Sequence, residues 1–107
     1  MSPVVHIVLI KYQPHATEAQ RQEIYDRYQV LAEEVGGAAA GIAHFAVRKN
    51  LDTRKGVELV ELVVFRDDAA FRAFLAHPRH VEIQDILRSC ADWWVGDYND
   101  MPVIASV

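Results

Sequence analysis

The chain has 107 residues, 51% of them hydrophobic, with fifteen acidic and eleven basic side chains, a net charge of −4 and one cysteine. That length supports a single domain over residues 1–107, no apolar run approaches the ~20 residues of a membrane span, and no basic cluster points to nucleic acid. The lone Cys90 permits no internal disulfide and suits a reducing cytoplasm, and no basic segment followed by an apolar stretch marks a secretory leader.

Residues 4–12 alternate, with His6, Val8, Ile10 and Tyr12 on one face and Val5, Ile7, Leu9 and Lys11 on the other. Both faces are mostly apolar, so the strand is expected to be covered on both sides, and Pro14 ends it. Thr17-Glu18-Ala19-Gln20 reads as a capping box, in which the threonine oxygen accepts from the third amide on and the glutamine reaches back. The helix that follows, over residues 18–35, carries Ile24, Tyr28, Leu31 and Val35 on one stripe, and Gly36-Gly37 stops it.

Residues 41–49 alternate again, with Ala43, Phe45 and Val47 on one side and Ile42, His44, Ala46 and Arg48 on the other. A polar turn over 50–56 leads into a strand over 57–65. There Val57, Leu59, Val63 and Phe65 oppose Val60, Leu62 and Val64. Asp67 or Asp68 can cap a short helix containing Phe71, Phe74 and Leu75, which stops near His77 because a residue before proline avoids helical geometry. A second helical stretch over 80–91 and a short strand over 93–98 complete the core. Residues 99–107 are a tail in which Met101, Val103 and Ile104 can dock.

The order strand–helix–strand–strand–helix–helix–strand predicts an α+β, ferredoxin-like βαββαβ plan. Two helices are expected to cover one face of a four-stranded antiparallel sheet. The second apolar face has nothing left in the chain to cover it, which predicts a homodimer with two sheets packed face to face into a dimeric α/β barrel.

Among five histidines, His15 in a polar turn and His44 beside Arg48 read as solvated residues. His6 stands among apolar neighbours, where a histidine is commonly a hydrogen-bonded core residue and sometimes a functional one. His77-Pro78-Arg79-His80 reads either as a proline-stiffened corner or as the place of an acid–base histidine. The latter needs a carboxylate to orient its ring, and Asp97 is the obvious candidate. One His-x-x-His pair, even with His6 added, is a weak metal signal, so no metal is expected. Cys90 falls among apolar helix positions, where cysteines are inert, and the dispersed glycines form no phosphate or dinucleotide fingerprint, so no cofactor is expected.

The runs His6-Ile7-Val8-Leu9-Ile10-Lys11-Tyr12, Thr17-Glu18-Ala19-Gln20, Phe74-Leu75-Ala76-His77-Pro78-Arg79-His80 and Asp97-Tyr98 match one pattern in order and spacing. Over residues 3–98 the chain resembles the stress-responsive dimeric α/β-barrel (Dabb) domain family. The resemblance implies a ferredoxin-like monomer, a dimeric barrel and, for many members, a role named only for stress induction. One characterised member is a plant polyketide cyclase that performs a cofactor-free aldol condensation in a pocket between sheet and helices. This chain is similar to it at His6, Tyr28, His77, His80 and Asp97. That similarity implies His80 as a base held by Asp97, with Ile24, Tyr25 and Tyr28 lining the pocket from the helix and His6, Val8 and Ile10 from the sheet. Phe74 stands where the cyclase has a pocket tyrosine, and Ala91 where it has a bulky aromatic. A phenyl ring cannot donate a hydrogen bond, and losing such a donor costs on the order of 100-fold in rate. The same substrate and reaction are therefore not expected, although the Tyr28 hydroxyl offers a replacement.

Three readings follow. The first is a homodimeric stress-response barrel that binds a small apolar or aromatic molecule, with no established catalysis. The second is a cofactor-free, cyclase-like enzyme with His80 as base, Asp97 orienting it, and His6 or Tyr28 stabilising an oxyanion. The third is a purely structural oligomer.

Overall fold

The computed structural model describes residues 2–100, so the tail positions Met101, Val103 and Ile104 lie outside the described residues. Its elements run β1 (Val4–Tyr12), α1 (Glu18–Glu34), β2 (Ile42–Lys49), β3 (Val57–Phe65), α2 (Asp68–Ala76), α3 (Pro78–Cys90) and β4 (Ala91–Asn99). All neighbouring strands are antiparallel, in the order β2-β3-β1-β4. This is the ferredoxin-like plan expected from the sequence.

Local chemistry explains where the helices begin. Thr17 Oγ1 accepts from the Gln20 amide at 3.1 Å while the Thr17 amide donates to Gln20 Oε1 at 2.9 Å, completing the capping box. Asp67 caps α2 by accepting from the Ala70 amide at 2.8 Å. The third helix starts at Pro78 rather than near residue 80. Proline suits the first helical position, where its missing N–H is no loss, and His77 Nδ1 caps the turn by accepting from the Arg79 amide at 3.1 Å. The proline-stiffened corner is thus a helix-to-helix joint.

One face of the sheet packs against the helices. Val4, Val8, Ile10, Val47, Leu59, Val63 and Phe65 from the strands meet Ile24, Tyr28 and Leu31 of α1, Phe74 of α2, and Ile83 and Leu87 of α3 in one core. Residues directly opposite on paired strands share a face. The other face is therefore built from Val5, Ile7 and Leu9 of β1, Val60, Leu62 and Val64 of β3, and Trp94 and Tyr98 of β4.

Two further expectations change. The register shifts between Ile42 and His44, so Ile42 pairs with Phe65 and is buried in the core rather than lying on the outer face with His44. A one-residue irregularity moves side chains to the opposite side of a strand. The last strand is also longer than expected, pairing with β1 along its whole length from Ala91 to Asn99.

Candidate functional site

The same register that builds the sheet brings three polar side chains together. His6 lies directly opposite Asp97 across β1 and β4, and its Nδ1–H donates to Asp97 Oδ1 at 2.6 Å. Glu61 sits mid-strand on β3 between Val8 and Val47, with Oε1 3.9 Å from His6 Nε2 on the diagonal. The His6 ring is buried, with Phe71 5.3 Å away between ring centroids.

These groups line a pocket of about 220 Å³ between sheet and helices. Tyr28 from α1 and His80 and Gln84 from α3 add polar groups to its lining, while Val8, Phe71, Leu75, Leu87, Trp93 and Val95 form apolar walls. An apolar cleft with a few convergent polar groups is the usual form of a small-molecule site.

His80 reaches this pocket in a way the sequence did not suggest. Its Nδ1–H donates to the carbonyl of Leu75 at 3.1 Å, and its ring lies 4.8 Å from that of Phe74. The last carbonyls of a helix lack intrahelical donors, so the end of α2 supplies the acceptor that fixes this ring. Asp97, expected to orient His80, instead holds His6, because the β1–β4 register sets those two side by side. With the proton on Nδ1, the neutral ring carries its lone pair on Nε2.

Burial sets the charge states. It pushes the His80 pKa down, with the charges of His6 and His77 adding to the effect and the Leu75 hydrogen bond opposing it. Burial, reinforced by Glu61, lifts the Tyr28 hydroxyl well above its ordinary value, so it stays protonated. Glu61 is 1% exposed, and burial followed by the charge of Asp97 raises it from 4.5 to about 8. Its Oε2 has no hydrogen-bond partner among the described residues.

The remaining sequence candidates fall around this pocket rather than in it. Ile10 and Ile24 are fully buried in the core and do not line the cavity. Tyr25 lines a separate cleft with Tyr12 and Lys49. Phe74 and His77 border a small cavity of about 50 Å³ near Ala70. No group of three or more His, Cys, Asp or Glu side chains among the described residues is arranged to hold a metal ion. Sequence reasoning missed Glu61, Gln84, Phe71, Leu75, Leu87, Trp93 and Val95. Glu61 did leave a signal: it is the one charge among the inward positions Leu59, Glu61, Val63 and Phe65.

Fold and site together define a ferredoxin-like α+β domain with a partly apolar pocket between its sheet and its helices. The chain belongs to the stress responsive A/B barrel domain (Dabb) family, whose model matches residues 4–100. Among solved structures it is similar to a dimeric ferredoxin-like protein of unknown function from Thermobifida fusca, with a TM-score of 0.77, 17% identity, and coverage of 92% of this chain and 91% of that one. It is similar also to SnoaB, a cofactor-independent oxygenase from Streptomyces nogalater (TM-score 0.73, 18% identity, 99% and 100% covered). A third is the hydroxynitrile lyase from Passiflora edulis (TM-score 0.73, 20% identity, 97% and 98% covered). These likenesses are of fold. No curated protein matches the chain.

Proposed function

We propose that this A/B barrel protein is a homodimer that binds a small, mostly apolar carbonyl compound in the pocket between sheet and helices. The observation that carries the reading is the pocket itself, into which polar groups from β1, β3, β4, α1 and α3 converge between apolar walls. A purely structural oligomer needs no such space. Dimerisation is supported by the outer sheet face, where Trp94 is 53%, Tyr98 49% and Leu9 37% exposed. The similar protein from Thermobifida fusca is described as dimeric. Buried, free Cys90 fits a reducing compartment such as the cytoplasm.

A second reading, cofactor-free proton transfer, is favoured by His80. Its ring is kept neutral by burial and held with Nε2 basic by the Leu75 carbonyl. His80 Nε2 takes a proton from the carbon beside the carbonyl. The C–H electron pair becomes the C=C bond and the carbonyl π pair moves to oxygen, leaving an enolate and an imidazolium. Return of a proton to carbon restores the ketone.

Phenylacetone, an apolar aromatic ketone with an acidic methylene, tests both readings. Binding predicts a raised Tm, and proton transfer predicts enzyme-dependent deuterium uptake at the methylene in D2O, followed by NMR. His80→Ala is expected to keep most of the binding and to lose about 100-fold or more of the exchange rate. An unmoved Tm rejects the binding reading, and exchange unchanged by His80→Ala rejects the catalytic one.

A further inference from the structure

Glu61 is out of place in a core strand. Its neighbours across the sheet are Val8 and Val47, it is almost wholly buried, it makes no hydrogen bond among the described residues, and the basic group beside it is His6, 3.9 Å away. A buried carboxylate without partners is strongly unfavourable, and such a group takes up a proton instead. The groups facing it are His6 from β1, Asp97 from β4, Tyr28 from α1, and His80 and Gln84 from α3. None relieves it. His6 already donates Nδ1–H to Asp97, and its Nε2, at 3.9 Å from Glu61 Oε1, is too far for a hydrogen bond. Val47 of β2 contributes no charge.

A neutral carboxylic acid carries an O–H that needs an acceptor. Oε2 is enclosed and has none among the described residues, so the oxygen that can serve a ligand is Oε1, on the His6 side of a residue that lines the pocket. A ligand's oxygen would lie against Oε1, in the gap of 3.9 Å that separates it from His6 Nε2 and that no direct hydrogen bond closes.

We infer that Glu61 is the hydrogen-bond donor that receives the carbonyl oxygen of the bound molecule, which makes the pocket select neutral carbonyl compounds over carboxylates. The inference rests on the proposed pocket function and names its ligand class. A carboxylate ligand would bring a further negative charge beside Asp97, whereas a ketone offers an uncharged acceptor. If His80 removes a proton from the adjacent carbon, charge develops on that same oxygen, and a donor already in place strengthens as it does so. Glu61 thereby supplies the kind of donor that Phe74 cannot.

Burial and the charge of Asp97 hold Glu61 at about 8, so the donor is present at neutral pH and is lost in alkali. Over the same interval Tyr28 stays protonated and His80 stays neutral, because burial pushes the first up and the second down.

The test compares phenylacetone and phenylacetate binding by the wild type, Glu61→Gln and Glu61→Leu at about pH 6.5 and about pH 9.5. Glutamine keeps a donor but cannot ionise; leucine keeps the bulk and removes the donor. The wild type is expected to prefer the ketone at the lower pH and to lose about tenfold of its affinity at the higher one. Glu61→Gln should bind the ketone with little pH dependence, and Glu61→Leu should bind it about tenfold more weakly at pH 6.5. Ketone binding that is equal in wild type and Glu61→Leu overturns the role of Glu61 while leaving the pocket in place. If neither probe binds any form, the pocket reading itself falls. The carboxyl carbon of Glu61, titrated by NMR in the free protein, then decides the donor separately: a midpoint near 4.5 removes it, and one near 8 retains it.

Discussion

The two faces of the sheet are made by the same four strands, residue by alternate residue, yet they hold different kinds of side chain. The inner face is closed by helices and includes the buried polar residues His6 and Glu61. The outer face presents Ile7, Leu9, Leu62, Trp94 and Tyr98 and keeps its charged side chains, Lys11, Asp92 and Arg48, towards one end. Polar groups are expensive where water is excluded, and apolar groups are tolerated in water only up to a point. The inner face therefore carries polar burial that packing alone does not require, and the outer face carries apolar exposure that a monomer does not require. The first points to a ligand and the second to a partner subunit.

The largest expected effect comes from neutralising the inner face. For Glu61 the folded pKa of about 8 exceeds the ordinary 4.5. Below pH 4.5 the carboxyl is protonated in both folded and unfolded chains and carries no penalty. Between 4.5 and 8 the unfolded chain ionises first, so the folded chain holds the extra proton. Stability accordingly falls as pH rises, by up to about 1.4 kcal/mol per pH unit. Above 8 both are ionised and the loss is complete. Urea denaturation of wild type and Glu61→Gln at pH 5, 7 and 9 should show the glutamine variant gaining on the wild type with each step. The total gain should be on the order of 4 kcal/mol. Parallel curves would mean that Glu61 is not desolvated, and the contrast between the faces would disappear.

A smaller effect is expected on the outer face. Leu9 lies in central strand β1 and is already partly exposed, so Leu9→Lys should leave the monomer fold intact. In a two-fold interface the substitution occurs twice and brings two ammonium groups into an apolar contact. The dimer dissociation constant should rise about 100-fold, near 3 kcal/mol, by sedimentation velocity. An unchanged association state would place any interface elsewhere.

The fold was legible because its signals are local. Thr17 with Gln20, Asp67, and the alternation of β1 and β3 each state their element within a few residues. The face of Ile42 escapes local alternation because its register shift is decided by pairing with Phe65, more than twenty positions away. The site was legible only as separate residues. His6, His80 and Asp97 could each be singled out, but which pairs with which depends on β1–β4 register and on a helix end turning its Leu75 carbonyl to His80. Glu61 is inconspicuous in the sequence because the apolar alternation of β3 reads as complete without it. A charge at an inward position of a central strand marks the cavity more clearly than any histidine here.

The smallest effect concerns Gly96, which lies on the outer face opposite Ile7. Its backbone is outside the left-handed region, and a Cβ added there meets nothing within 4 Å. In the isolated subunit Gly96→Ala should therefore stabilise by about 0.5–1 kcal/mol, since alanine restricts the unfolded chain without straining the folded one. Glycine inside a strand also marks places where another backbone comes close. If a second sheet packs over this position, the new methyl group meets it, and dimer affinity should fall by on the order of 1 kcal/mol while monomer stability rises. Measuring the substitution both alone and in the Leu9→Lys background separates the two quantities. Opposite signs would locate the closest approach of the two sheets at β4. A gain in both would move that approach toward β3, where Val60 and Leu62 continue the apolar face.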